Sequence, residues 1–302
     1  MLDIALVGTG GMMPLPNRFL SSALLRFKGD LLLIDCGEGT QVSLKMLGFG
    51  FKNISTICFT HFHGDHISGL PGLLLTIANA GRTEPILMIG PKGLEHVVTS
   101  LCVIATDLPF SINFIELEKN HGPINRNDFI INTQELKHST LCVAYTFNIA
   151  RPPKFDPLQA VALNIPKHLW SILQKGNTIE IDGKTFDSNM VLGQPRKGLK
   201  VGYCTDTRPV ESLVSFMQDA DLFICEGIYG EQEKLEKAIE YKHMTFAEAA
   251  TIANLANVDE LWLTHYSPSL VEPDLFLHVA TDIFSNSHCG YDRKLKSLLW
   301  NN

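Results

Sequence analysis

Short apolar runs that end at a glycine, an acidic residue or a histidine recur along the chain, and amphipathic segments lie between several of them. The runs are LDIALVG, DLLLIDCG, ISTICFTH, PILMIG, FIINTQELKH, CVAYTFNI, LKVGYCTD, DLFICEG and ELWLTH. Such runs predict β-strands. Between them, segments such as GLPGLLLTIANA and TFAEAATIANLA repeat apolar residues with helical spacing. Strands mixed with one-sided helices predict an α/β fold in which helices cover the sheets.

The size and composition are those of a globular protein with a substantial core. The chain has 302 residues, of which 45% are hydrophobic and 19% charged. It has neither a basic leader with a long apolar run nor any apolar stretch of membrane-spanning length, so we expect no membrane contact. Most of the seven cysteines lie in apolar runs such as TICFT and VGYCTD, which predicts reduced thiols and a cytoplasmic location.

One interval, residues 148–198, breaks the strand and helix rhythm. Pieces such as ARPPKFDP, QKGNTIEIDGKTF and GQPRKG punctuate it. We therefore predict one domain over 1–302 with an inserted arm at 148–198. The net charge of −7 does not favour nucleic acid over the whole surface, but residues 151–200 carry eight basic and four acidic side chains, a local +4 that leaves −11 for the rest.

The densest group of polar side chains is in FTHFHGDHISGLPGLL, residues 59–74. His61 and His63 follow an apolar run and point the same way in an extended chain, so both can bind one metal ion. Asp65 and His66 come next, as the chain turns toward a helix near Leu70, and would face a second position. A single histidine usually makes a structural hydrogen bond, but four ligand types within six positions predict a pair of metal ions.

Further candidate ligands follow other predicted strands. His138 ends INTQELKH, Asp206 ends KVGYCTD, His265 ends ELWLTH, and Asp35 ends LLLID. Because α/β sheets gather functional groups at the carboxyl ends of their strands, we expect these side chains to join the cluster.

His243, in YKHMTFAEAA, begins a helix instead of ending a strand. A purely structural interpretation makes it a helix-start residue, with Thr245 as the cap and Glu248 completing a capping box. Either interpretation leaves the imidazole at a loop edge, where it could donate a proton.

Several motifs together indicate a family. They are GTGGMMPLPNR, LLIDCGEGTQ, FTHFHGDHISGLPGLL, LKHS, YCTDTRP, CEG, HMTFAEAA and LTHYSPS. At these motifs the chain resembles the metallo-β-lactamase superfamily and, within it, the ribonuclease Z family. The His-x-His-x-Asp-His motif specifies only the superfamily, whereas the early glycine loop, DCGEGTQ and HYSP narrow the resemblance. It implies an αββα sandwich of two mixed sheets flanked by helices, with a two-metal site at one edge.

The resemblance also implies a role for each candidate. It assigns His61, His63 and His138 to one zinc ion, Asp65, His66 and His265 to the other, and Asp206 to a bridge between them. Asp35 would orient a ligand, Asp65 would help to activate the attacking hydroxide, and His243 would protonate the leaving 3′ oxygen. Two Zn²⁺ ions per chain are implied, although Mn²⁺ or Fe²⁺ also suits such mixed nitrogen and oxygen ligands.

The implied activity is metal-dependent cleavage of precursor tRNA at its 3′ trailer, leaving a 3′-hydroxyl and a 5′-phosphate, by a homodimer whose arm presents the tRNA. Two departures from the family pattern concern the substrate. The arm reads NIPKHLWSILQKG, without the family's Gly-Pro turn and following glycine, and HYSPS ends in Ser269 where many relatives have arginine. Two alternatives stay open: a hydrolase of small phosphodiesters or other esters, and a non-catalytic RNA-binding or scaffold protein that uses metals for folding.

Overall fold

The computed structural model describes residues 1–119 and 121–300. They form two compact units, of which the first joins Met1–Asn148 to the chain from Lys200 onward and the second is Ile149–Leu199. The strands are β1 (Leu2–Gly8), β2 (Ser22–Phe27), β3 (Asp30–Ile34), β4 (Ile54–Cys58), β5 (Ile86–Pro91), β6 (Ile112–Leu117), β7 (Ile124–Arg126), β8 (Phe129–Glu135), β9 (Val143–Arg151), β10 (Ile179–Ile181), β11 (Lys184–Phe186), β12 (Arg196–Cys204), β13 (Leu222–Glu226), β14 (Leu261–Thr264), β15 (Ser287–Cys289) and β16 (Leu295–Leu298). The α-helices are α1 (Thr40–Leu47), α2 (Gly64–Ile67), α3 (Leu70–Asn79), α4 (Leu94–Leu101), α5 (Pro157–Ala162), α6 (Trp170–Gln174), α7 (Glu211–Met217), α8 (Leu235–Tyr241), α9 (Phe246–Leu255) and α10 (Leu277–Thr281).

The first unit is built on two seven-stranded sheets. Their orders are β16-β1-β2-β3-β4-β5-β6 and β15-β14-β13-β12-β9-β8-β7. Both are mixed: β3 to β6 run parallel in the first and β12 to β15 in the second, while β1 pairs antiparallel with β2 and β7 with β8. The predicted α/β class, with two mixed sheets flanked by helices, is confirmed.

Each sheet is buried on both faces. In β1, Ala5 and Val7 belong to a cluster that also contains Leu44 of α1 and Leu73 of α3. Because strand side chains alternate, the fully buried Ile4 points to the opposite face. Burying one such aliphatic side chain stabilises the fold by about 1.5–3 kcal/mol, so two covered faces explain why these strands are almost wholly apolar.

The two sheets face each other across the core. The Tyr145 hydroxyl on β9 donates a hydrogen bond to the backbone oxygen of Phe59, just beyond β4, at 2.7 Å. The ring of Phe27 on β2 packs edge to face on Phe129 of β8. On the outer face of the second sheet, helix α9 buries residues including Phe246 in a separate cluster. The layers are therefore helix, sheet, sheet and helix.

Three strand ends carry a polar residue in the left-handed backbone conformation. Asp35 follows β3 with φ 55°, Asp206 follows β12 with φ 44°, and His265 follows β14 with φ 60°. This conformation costs about 1–3 kcal/mol for a residue other than glycine and persists only where the surrounding structure enforces it. The strain falls on three of the residues that the sequence singled out.

The second unit has a small core of its own. Its buried residues are Ala160, Ile165, Leu173, Ile179 and Val191. Helix α5 is capped by Asp156, whose side chain accepts hydrogen bonds from two backbone N–H groups, and β10 pairs with β11 as an antiparallel hairpin. This segment folds around apolar contacts, as a compact unit would.

Two general properties complete the fold. None of the helices in residues 1–119 and 121–300 combines the length and the apolar character needed to cross a bilayer. All seven cysteines lie in these ranges, none is joined in a disulfide, and six are buried.

Candidate metal centre

The first group of ligand atoms comes from four residues. His61, His63, His138 and Asp206 each direct one such atom into a space in which all lie within 4.8 Å of one another. His138 Nε2 is 3.3 Å from His63 Nδ1, and His61 Nε2 is 3.5 Å from Asp206 Oδ2. Three imidazoles and one carboxylate oxygen are a suitable donor set for a divalent metal ion.

The second group adjoins the first. Asp65, His66 and His265 also place ligand atoms within 4.8 Å of one another. His66 Nε2 is 3.2 Å from His265 Nε2, and Asp206 Oδ1 lies 3.3 Å from the former and 3.1 Å from the latter. Asp206 therefore presents one oxygen to each group and is placed where a bridging ligand would be.

Buried polar atoms that have no hydrogen-bond partner indicate whether the residues fit a metal ion. His61 Nε2 and Asp206 Oδ1 are buried and form no hydrogen bond within the described residues. Leaving a buried polar atom without a partner costs about 1–3 kcal/mol, more for a charged group. Both atoms point into the space where the other ligand nitrogens and oxygens meet, so a divalent cation would satisfy them. The residues fit a divalent-metal site.

Asp35 fixes two of these imidazoles from behind. Its carboxylate accepts a hydrogen bond from His66 Nδ1 at 2.8 Å and from the Thr60 hydroxyl at 2.9 Å. The Thr60 oxygen in turn lies 3.1 Å from His61 Nδ1. Asp35 thus leaves the Nε2 atoms of both histidines free for a metal, which is how carboxylates orient histidine ligands.

His138 is held by the backbone next to His243. Its Nδ1 donates to the backbone oxygen of Lys242 at 3.1 Å, and the Lys242 ammonium donates to the backbone oxygen of His138 at 3.2 Å. Lys242 adopts a left-handed conformation with φ 59°. This reciprocal contact was not anticipated from the sequence, because nothing in it pairs residues 104 positions apart.

The protonation states of His61, His138 and Asp206 suit metal binding. Burial lowers the pKa of His61 and of His138, so both imidazoles are neutral at pH 7. Burial alone would raise the pKa of Asp206, but the neighbouring histidines His265 and His66 hold it well below its usual range. Neutral imidazoles and ionised carboxylates are the forms that bind divalent metals.

The early glycine loop touches the second group directly. The backbone N–H of Met12 donates to Asp65 Oδ2 at 2.7 Å. A Cβ atom on Gly11 would lie 2.7 Å from the His265 ring, and one on Gly37 would lie 2.4 Å from the backbone oxygen of Asp65. Glycine is therefore required at both positions because a candidate ligand residue approaches the backbone closely.

His243 is bonded to a carboxylate that the sequence interpretation did not single out. Its Nδ1 lies 3.0 Å from Glu226 Oε2, and Glu226 Oε1 accepts the Thr207 backbone N–H at 2.5 Å. Burial would lower the pKa of His243, but the fully buried Glu226 raises it to about 9. Glu226 ends β13, so the signal that identified Asp206 and His265, a polar residue at a strand end, was present in LFICEG.

The structural alternative for this segment also holds. Thr245 and Glu248 form the predicted capping box at the start of α9. Arg208 binds the Glu248 carboxylate and also donates to the backbone oxygen of His243. The cap and its arginine therefore fix the backbone that carries His243, so the structural and chemical roles are compatible.

These residues open onto one cavity of about 660 Å³. The structure brings all seven predicted ligands and His243 together at it or directly beneath it, with Asp35 behind them. Asp65 and His66 lie in the separate short helix α2, whereas the helix predicted near Leu70 begins there as α3. His243 also lies within 4.8 Å of the ligand atoms of Asp206 and His265, so a proton from it can reach the centre.

Comparison with known proteins shows which family this chain is similar to. The family model described as Anti-Pycsar protein Apyc1 matches residues 2–103. A ribonuclease Z from Lachnoclostridium phytofermentans is 54% identical over 97% of this chain and 97% of that protein, and one from Agathobacter rectalis is 53% identical over 99% of each. The crystal structure of the short form of human tRNase Z superposes with a TM-score of 0.70 at 24% identity, covering 98% of this chain and 99% of that one. At this low sequence identity, the similarity to human tRNase Z is a similarity of fold.

Proposed function

The chain belongs to the ribonuclease Z family of metallo-β-lactamase-fold proteins, and from this premise we propose that it is a metal-dependent endoribonuclease that removes the 3′ trailer of precursor tRNA. Cleavage breaks the bond between phosphorus and the 3′ oxygen, which leaves a 3′-hydroxyl on the tRNA and a 5′-phosphate on the trailer. The observation that carries the proposal is the convergence of two ligand groups on Asp206, with His243 beside them.

Two divalent metal ions, preferably Zn²⁺, are proposed for the two groups. His61, His63 and His138 would hold one, Asp65, His66 and His265 the other, and Asp206 both. The imidazole-rich donor set favours zinc, although Mn²⁺ or Fe²⁺ can occupy mixed nitrogen and oxygen sites. When bound, such ions lower the pKa of a water molecule and neutralise charge on the phosphate oxygens.

The protein's own side chains manage the protons. Burial alone would raise the pKa of Asp65, but the hydrogen bond with His265 and the nearby His66 keep this pKa well below its usual range, so the carboxylate is ionised and can accept a hydrogen bond from the attacking water. His243, protonated because Glu226 raises its pKa to about 9, can donate a proton to the departing 3′ oxygen. Asp65 and His243 are thus the proposed catalytic pair.

The second unit is the proposed contact for the body of the tRNA. Residues 149–199 carry seven Lys and Arg against four Asp and Glu, in a chain whose net charge is −7. Phosphate contacts supply much of the affinity for nucleic acid, so this positive segment suits a tRNA backbone. We also propose a homodimer in the cytoplasm, where the free cysteines would stay reduced.

The test is incubation of the purified full chain with precursor tRNA and Zn²⁺, with both product ends mapped. A cut adjacent to the discriminator base, with a 3′-hydroxyl and a 5′-phosphate, supports the proposal. His63→Ala serves as the control, with metal content and unfolding midpoint measured beside activity. Hydrolysis of bis-p-nitrophenyl phosphate without any cut in tRNA would assign the centre to small phosphodiesters, and bound metal without either activity would indicate a non-catalytic protein.

A further inference from the structure

One wall of the cavity contributes nothing to the two ligand groups. It consists of three residues of α8, the residue after the helix and one residue of a preceding loop. We call it the α8 wall, and its residues are Tyr229, Lys237, Glu240, Tyr241 and Lys242. The wall combines two aromatic rings with charged side chains, a composition that suits nucleotides, since bases stack on aromatic rings and ammonium groups contact phosphates.

The two tyrosines differ in what covers them. Tyr229 is only 8% exposed, and the ammonium of Lys234 lies 5.5 Å from the centre of its ring. Tyr241 is 57% exposed and lines the same cavity as the buried candidate ligands Asp206 and His265. An exposed aromatic ring at the last residue of α8 is thus available to a planar ligand entering the cavity.

The charges on the wall leave one ammonium group available. Lys242 donates to the backbone oxygen of His138 and is therefore already engaged. Lys237 is exposed and forms no hydrogen bond or ion pair within residues 1–119 and 121–300. Glu240 is exposed on the same wall and carries the opposing charge. Lys237 is accordingly the group that can contact a phosphate beside a stacked base.

The position of the wall in the chain indicates which nucleotide it meets. Helix α8 ends at Tyr241, and His243 follows two residues later. In the proposed reaction His243 gives its proton to the leaving 3′ oxygen, and that oxygen belongs to the nucleotide immediately 5′ of the cut. This nucleotide therefore lies nearest to the segment that joins α8 to His243.

We propose that the α8 wall binds the nucleotide 5′ of the scissile bond, with its base stacked on Tyr241 and its 5′ phosphate contacted by Lys237. The inference rests on the proposed function and makes it more specific. Tyr241 would hold the leaving 3′ oxygen within reach of His243, so that the ring acts as a sequence-tolerant platform and not as a reader of base identity.

The experiment pairs a protein change with a substrate change. Tyr241→Ala and Tyr241→Phe are compared with the unaltered protein on precursor tRNA and on the same RNA with an abasic ribonucleotide 5′ of the cut. Stacking of one base on an aromatic ring is worth about 1–3 kcal/mol, equivalent to about 5- to 150-fold. On normal RNA, we expect Tyr241→Ala to have a kcat/KM at least about fivefold below that of the unaltered protein, and Tyr241→Phe to keep most of the activity. On the abasic RNA, we expect Tyr241→Ala and the unaltered protein to have the same kcat/KM.

Controls separate this inference from a folding defect. Tyr291→Ala removes an equally exposed tyrosine that does not line the cavity and should leave both substrates unaffected. Lys237→Gln should raise KM and reduce the salt dependence of binding by about one phosphate contact. Equal losses for Tyr241→Ala on both RNAs, or no loss on either, would overturn the inference. In that case cleavage of tRNA by the unaltered protein still supports the proposed function. If the unaltered protein leaves tRNA intact, both fall together.

Discussion

Replacing Glu226 by glutamine isolates the proton-donating part of the centre. The carboxylate accepts two N–H groups, from His243 Nδ1 at 3.0 Å and from the backbone of Thr207 at 2.5 Å. Glutamine offers a single acceptor oxygen, so its NH₂ group must face one of these donors. The substitution removes the negative charge that raises the pKa of His243 while changing almost no volume.

The size of the effect follows from the bond that is lost. A hydrogen bond between charged groups contributes about 1.5–3 kcal/mol, which corresponds to a fall of roughly one to two units in the pKa of His243. Its pKa in the unaltered protein is about 9. The protonated acid is present below that pKa and lost as pH rises through it, so the alkaline limb of activity should move down by about one to two units.

The assay compares two leaving groups over a range of pH. The 3′ oxygen of RNA is a strong base that needs a proton to depart, whereas p-nitrophenolate is a weak base that departs without one. At pH 9 about half of His243 is protonated in the unaltered protein, and a fall of one to two pKa units leaves about 9% to 1%. Glu226→Gln should therefore reduce cleavage of precursor tRNA by about 5- to 50-fold at pH 9 and reduce hydrolysis of bis-p-nitrophenyl phosphate far less.

Glu260→Gln is the matched control. It alters another largely buried carboxylate, bonded to Trp262 and Lys296 and absent from the cavity lining. The control should lose stability but keep its pH profile. If Glu226→Gln leaves the alkaline limb where it was, or slows both substrates equally, then Glu226 does not act through His243 as described.

Three other predictions follow from contacts around the centre. Asp35→Asn should weaken zinc binding by about 10- to 100-fold, because it disturbs the orientation of two histidine ligands, and titration with a competing chelator measures the change; unchanged affinity would contradict the role given to Asp35. Arg208→Met should lower tRNA cleavage more than hydrolysis of bis-p-nitrophenyl phosphate, because Arg208 holds the backbone that carries His243; retained tRNA cleavage would remove that role. Deleting residues 151–195 should raise the KM for precursor tRNA by at least about tenfold, because several phosphate contacts are lost, and should leave hydrolysis of bis-p-nitrophenyl phosphate intact. An unchanged KM would show that the tRNA is contacted elsewhere.

The sequence predicted which polar side chains come together because of a simple geometric rule. Parallel strands end at a common edge, so polar residues directly after apolar runs meet there, as Asp35, Asp206 and His265 do. The same rule covers Glu226, which was missed because its motif was treated as a family marker and not as a strand end. The left-handed conformation of the other three was not predictable, since only the folded surroundings enforce it.

Contacts between distant segments could not be predicted from the pattern of residue types. The His138 contact with Lys242 and the Arg208 contact with His243 each join a side chain to a backbone oxygen, and a backbone oxygen leaves no signature in residue type. Several strands also escaped prediction. The apolar run of strand β2 is broken by Arg26, which pairs with Asp3 across the sheet. Strand β16 lies at a sheet edge, and only one of its four residues is buried.

The central claim is that two ion sites sharing Asp206 act as one hydrolytic centre. The most direct measurement titrates metal-free protein with Zn²⁺ and records, in the same samples, cleavage of precursor tRNA and the number of ions per chain by native mass spectrometry. The account predicts that activity follows the fraction of chains holding two ions. Activity that follows the singly loaded fraction, or two bound ions without cleavage, would contradict it.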